Sequence, residues 1–152
     1  MSGKYWLLKT EPNEFSIDAL KAKGNQGEPW DGIRNYQARN FLREMTLDDT
    51  VLIYHSACAT PAIVGEAKII RTAYDDYNAL DPNSKYFDAK STPEKNRWSL
   101  VDVCFVEKWA KPLTLSQIKT IAELSAMKLV KQSRLSVSPV TAKEYDTIAS
   151  LR

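Results

Sequence analysis

The segment from Trp98 to Trp109 limits the possible folds more than any other. Val101, Val103, Phe105 and Trp109 recur on one side of an alternating pattern, the longest strand signal in the chain. A strand of that length needs partners. The runs Tyr5-Trp6-Leu7-Leu8-Lys9, Val51 to Ser56 and Ala62 to Arg71 are β-rich enough to supply them, the last interrupted by Gly65, which suits a bulge or tight bend. Arg134-Leu135-Ser136-Val137 reads as a final strand ahead of Pro139.

Helical signals separate these runs. Ser16 can cap a short helix through Ile17, Leu20 and Ala22 that ends at Gly24, and Asn35 can cap a helix carrying Ala38, Phe41, Leu42 and Met45 at helical spacing. Thr114 with Gln117 and Thr141 with Glu144 have the spacing of capping boxes. Residues 24 to 35 read as a glycine-rich loop around Trp30, and residues 74 to 97 as a long polar segment whose aromatics pack somewhere. The order lacks the regular strand–helix repeat of a parallel sheet, so an α+β fold with a small, strongly bent sheet or barrel follows.

The chain has 152 residues, 43% of them hydrophobic and 26% charged, which predicts one domain over 1–152 with one core. No apolar run reaches the length of a membrane span, and Met1-Ser2-Gly3-Lys4 leads into a strand rather than a signal peptide, so a cytoplasmic protein is expected. Cys58 and Cys104 are two distant thiols, read as reduced, buried small hydrophobes. No phosphate loop, nucleophile elbow or metal motif occurs, and with a single histidine no cofactor, metal or catalytic set is expected. His55 and Ser56 are neighbours on a strand and point to opposite faces, which argues against a base and nucleophile pair; alone, His55 reads as a half-buried strand-end residue bonded to backbone.

With a net charge of only +2, binding to nucleic acid would need a local basic face; Arg34, Arg39 and Arg43 are the residues expected to contact the backbone, Arg39 and Arg43 falling together off the apolar stripe of their helix. Four tryptophans and seven tyrosines matter more, since unstacked bases rest on aromatic planes. A lone tryptophan in a loop usually covers the core. The glycines and proline around Trp30 make a poor core segment, however, so its ring is read as a stacking plane.

Read together, Tyr5-Trp6-Leu7-Leu8-Lys9-Thr10-Glu11-Pro12, the string Trp30-Asp31-Gly32-Ile33-Arg34-Asn35-Tyr36-Gln37-Ala38-Arg39-Asn40, Tyr54-His55-Ser56, Trp98 through Val103 and Arg134-Leu135-Ser136-Val137 closely resemble the EVE domain family over nearly the whole chain. The likeness includes its thymocyte nuclear protein group. The basic N-terminal extension of nuclear members is missing, as in the compact bacterial form, and Ile121 to Ser133 is short and lacks basic clusters. The resemblance implies a PUA-like bent β-barrel flanked by short helices, related to YTH domains. It implies a non-catalytic reader of a modified base, of methylated cytosine or adenine type, in DNA or RNA. It also implies a pocket lined by Trp6, Lys9, Thr10, Trp30, Asn35, His55, Ser56, Arg134 and Ser136. Two rival readings are an RNA-cleaving enzyme, with Lys9, His55 and Arg134 as acid, base and phosphate clamp, and a protein-interaction module. The state of association is left open.

Overall fold

The computed structural model describes residues 3–152; Met1 and Ser2, part of the leader argument, lie outside the described residues. Six strands form one mixed sheet: β1 (Tyr5–Thr10), β2 (Glu28–Trp30), β3 (Thr50–His55), β4 (Ala62–Asp75), β5 (Ser99–Thr114) and β6 (Val137–Val140), in the order β2-β5-β4-β3-β1-β6. β1 and β3 run parallel, and every other neighbouring pair is antiparallel. The helices are α1 (Ile17–Ala22), α2 (Tyr36–Glu44), α3 (Leu115–Ile118), α4 (Lys128–Lys131) and α5 (Ala142–Leu151). No helix among the described residues is long and apolar enough to cross a membrane.

The local signals account for most boundaries. Ser16 accepts from the Ala19 N–H and Asn35 from the Ala38 N–H, while Thr114–Gln117 and Thr141–Glu144 form reciprocal capping boxes. Gly24 follows the last turn of α1 with φ of 59°, in the left-handed region. Two expectations are corrected. The expected loop 24–35 contains the three-residue strand β2, because Trp30 has a partner in Val101 of β5. The last strand starts at Val137 and continues through Pro139, which an edge strand tolerates because one side of its ladder is unused.

The long strand is real, but its alternation does not run unbroken. Between the pairs Glu66–Glu107 and Ala67–Phe105, β5 carries one more residue than β4, so Val106 bulges out and the side-chain phase flips. Val101 and Val103 therefore sit in one core cluster, with Phe105 packed against it, whereas Trp109 falls in a second cluster on the other face. A further shift occurs at Gly65, as its place in the run suggested; there α1 presses Ile17 against the strand. These irregularities curl the sheet around the first cluster, which takes Trp30 from β2 and Val137 from β6. The expected barrel is corrected in one respect: β2 and β6 approach one another without pairing, so the sheet is bent but not closed.

A Cβ at Gly65 would meet the Glu107 carbonyl oxygen and the Ile17 Cδ1 atom. We expect Gly65→Ala to cost about 1–3 kcal/mol in urea or thermal unfolding. Gly3→Ala, whose added methyl meets only Asp49 at 4.0 Å, should be silent.

Candidate functional site

Because β1 and β3 are parallel and β6 is antiparallel to β1, the C-terminal ends of β1 and β3 and the N-terminal end of β6 lie together. Backbone bonds tie them there: Ser56 N–H donates to the Thr10 carbonyl and Lys9 N–H to the Ser136 carbonyl, both at 3.0 Å. The curl of the sheet brings β2 from the opposite edge to face this end. Between the two edges is a cleft of about 430 Å³. One wall carries Lys9, Thr10, Ser56, Arg134 and Ser136; the other carries Glu28 to Ile33, with Tyr86 and Phe15 at the sides.

The walls are fixed from behind. Asp76, fully buried, accepts from the Gly32 N–H and from Arg34 Nη1, each at 3.0 Å, so it pins the segment that follows β2. Tyr86 packs its ring over Gly32, where φ is 79° and an added Cβ would strike the ring. Thr10 Oγ1 donates to the Phe15 carbonyl at 2.7 Å and shapes the turn toward α1.

The polar groups left over define what the cleft can bind. Trp30 is only 7% exposed and packs edge-on against Phe15, so it belongs to the core as well as to the cleft; the expectation of a pocket plane and not a core lid is corrected to both. Trp6 and Trp98 donate their indole N–H groups to Asp49 and Asp88, and Trp109 is sealed without a partner. Among the described residues no hydrogen bond uses the Trp30 indole N–H, and none uses the hydroxyls of Ser56 and Ser136; none of the three is sealed from solvent. Lys9 donates to the Ser133 carbonyl at 2.7 Å, and burial holds its ammonium below the usual lysine range.

Four carboxylates, Glu11, Glu14, Glu28 and Asp31, also line the cleft. Burial pushes the Asp31 carboxyl up, and the charges of Asp76 and Glu28 add to this, while its Oδ2 accepts from Asn78. Glu14 and Glu28 pair with Lys85 and Lys23, and Lys9 and Arg134 line the same cleft, so the lining is of mixed charge and suits a ring with N–H donors and carbonyl acceptors on its edge. Tyr86 and the carboxylates were missed as site residues in the sequence. Tyr86 lay in the segment read only as packing somewhere, and nothing local marks its approach to Gly32.

Lys9, Thr10, Trp30, Ser56, Arg134 and Ser136 thus meet in one cleft, and three other expected pocket residues do not line it. Trp6 is a core residue bonded to buried Asp49 at 2.9 Å. Asn35 spends its side-chain oxygen on capping α2 and lines a recess that adjoins the cleft and shares Ser133 and Arg134 with it. His55 accepts from the Ile17 N–H through Nε2 at 3.1 Å, the backbone-bonded role its strand-end position suggested. The three arginines are likewise occupied. Arg34 bonds Asp76 and the Tyr86 carbonyl, Arg39 reaches Asn40 and the Arg97 carbonyl, and Arg43 bonds Ser99 Oγ, so all three brace α2 and its approach. Both cysteines are free, but Cys58 is half-buried, not buried, at the exposed turn after β3.

Burial lowers the His55 pKa, with Asp18 partly opposing and Lys108 adding to it. The neutral ring is the one that accepts the Ile17 N–H, with its proton on Nδ1. A folded-state value below the unfolded one means that the unfolded chain binds more protons in the interval between them, so this contribution is full above the unfolded value of about 6.5 and is lost as pH falls. The melting temperature of wild type should therefore decline between about pH 7 and pH 5 more than that of His55→Gln, which keeps a neutral acceptor. Parallel declines in a pH series of thermal melts would contradict the cap.

Residues 4–151 match the sequence profile of the EVE domain. Thymocyte nuclear protein 1 of Mus musculus is 42% identical over 164 residues, covering 97% of this chain and 73% of that protein. A hypothetical protein from Leishmania major superposes with a TM-score of 0.93 at 51% identity, covering 99% of this chain and 94% of that one. The human THYN1 protein, in complex with 5-methylcytosine-containing DNA, superposes with a TM-score of 0.93 at 38% identity over 98% of this chain and 97% of that one. A YTH domain from Zygosaccharomyces rouxii, 12% identical with a TM-score of 0.54, shares the PUA-like fold. With the profile spanning the described chain almost end to end and relatives this similar across it, the chain belongs to the EVE domain family.

Proposed function

We propose that this chain binds nucleic acid by taking one extruded, modified base, of methylated cytosine or adenine type, into the cleft between the two sheet edges, and that it does so without chemical turnover. The observation that carries this reading is the set of unpartnered groups there: an indole N–H and two hydroxyls in residues that line a cleft of single-base size. A flipped base offers the acceptors and donors they lack, and the Trp30 and Tyr86 rings offer apolar walls. Exposed Arg134 at the wall can meet the phosphate next to the base. The human relative bound to 5-methylcytosine-containing DNA supports cytosine as the first base to try. The RNA-cleaving alternative takes His55 as its base, and the Nε2 of His55 is committed to the Ile17 N–H.

The test is fluorescence anisotropy with two strands that differ only in one 5-methylcytosine for cytosine. Wild type should bind the methylated strand more tightly. Trp30→Phe keeps an aromatic ring in the core but removes the N–H. It costs some core packing but leaves no buried polar group unpaired, and, compared per folded molecule, should weaken binding by about 1 kcal/mol, roughly five-fold. Ser56→Ala should act in the same direction. Equal affinity of wild type for both strands would overturn the proposal.

A further inference from the structure

Outside the cleft, one exposed aromatic ring is held still. Tyr36, the first residue of α2, is 49% exposed, yet its ring stacks on Trp98 with centroids 4.9 Å apart and 18° between planes. Its hydroxyl accepts from Arg97 Nη1 at 2.9 Å. Trp98 beneath it is buried and donates its indole N–H to Asp88 at 2.8 Å, so the support is itself anchored. A ring so held has little rotamer freedom left to lose when something settles on it.

The cations around the ring sit close to both members of the stack, and Tyr36 stays half exposed beside them. The Arg39 guanidinium lies 4.8 Å from the Tyr36 centroid and 6.0 Å from that of Trp98; Arg97 lies 6.0 and 5.8 Å from the same two rings. A group seated on the far side of Tyr36 would be almost twice as far from Trp98 as from Tyr36. Both guanidinium groups therefore flank the stacked pair, with exposed Arg43 one turn along α2. A rigid aromatic plate rimmed by positive charge complements a stacked base on an anionic strand.

The plate is also close to the cleft. The Arg34 guanidinium lies 5.5 Å from the ring of Tyr86, which lines the cleft, and 5.4 Å from the ring of Trp98. We infer that the outer face of Tyr36 is a second stacking plane, which takes an unpaired nucleobase flanking the one in the cleft. This rests on the reading of the cleft as a base pocket, and adds that the strand is bound single-stranded or locally splayed beside the extruded base.

The test uses three short single-stranded DNAs: one with a single 5-methylcytosine, one with cytosine in its place, and one with the 5-methylcytosine flanked on both sides by abasic sites. Wild type should bind the abasic-flanked strand roughly ten-fold more weakly than the first. Tyr36→Ala should lose roughly ten-fold on the first strand, keep its preference for methylated over unmethylated, and bind the abasic-flanked strand as wild type does. Tyr36→Phe, which keeps the ring without the Arg97 contact, should retain most of the affinity. Wild-type affinity in Tyr36→Ala would overturn the inference, as would an equal loss on all three strands or indifference of wild type to the abasic flanks. A wild type that distinguishes the flanks but not the methyl group would overturn the cleft reading and leave the plate standing; binding to none of the strands would overturn both.

Discussion

β4 and β5 are 14 and 16 residues long, and every feature of the cleft depends on their failure to stay in register. The surplus falls on β5 around Val106 and beyond Lys108, and on β4 around Ile70, so the ladder bends at several places rather than coiling evenly. Bent this way, the sheet wraps one apolar cluster and carries its two edge strands toward each other. A closed barrel would join those edges by hydrogen bonds and fill the interior with side chains. Here the edges stop short, and the gap is lined by the end of β2 on one side and the approach to β6 on the other.

The aromatic residues divide the labour that this geometry creates. Trp6 and Trp109 serve the two core clusters on either face of the sheet. Trp98 anchors to Asp88 and supports the surface ring of Tyr36. Trp30 is the tryptophan that spans core and cleft, with Phe15 packed against it. Charge is spread as well: carboxylates together with Lys9 and Arg134 in the cleft, Arg34, Arg39 and Arg43 braced beside it, and a chain whose net charge of +2 gives little long-range attraction. Discrimination by shape and base edge, more than by backbone affinity, is what such a distribution favours.

Much of the fold was legible because its signals are local. The caps at Ser16, Asn35, Thr114 and Thr141, the bend at Gly65 and the long strand after Trp98 each follow from a few neighbouring residues. The phase flip at Val106 was not legible, since a bulge depends on the partner strand and not on the bulged one. The site was legible in part. The ends of β1 and β3 and the approach to β6 could be grouped by family likeness, but Asn35 and His55 were placed in the pocket when each serves a helix N-terminus. The bracing role of the three arginines has no local signal, because their partners, the Tyr86 and Arg97 carbonyls, Ser99 and Asp76, lie more than 40 residues away in sequence.

On the proposed reading, a base enters the gap between the sheet edges and meets the unpartnered donor of Trp30. The four tryptophan indole N–H groups sit in four different environments and should give four separate signals in a ¹⁵N–¹H spectrum. Titration with a short single-stranded DNA carrying one 5-methylcytosine should move the Trp30 indole signal furthest, move that of Trp98 less, and leave those of Trp6 and Trp109 in place. Saturation of binding with the Trp30 signal unmoved would contradict the account.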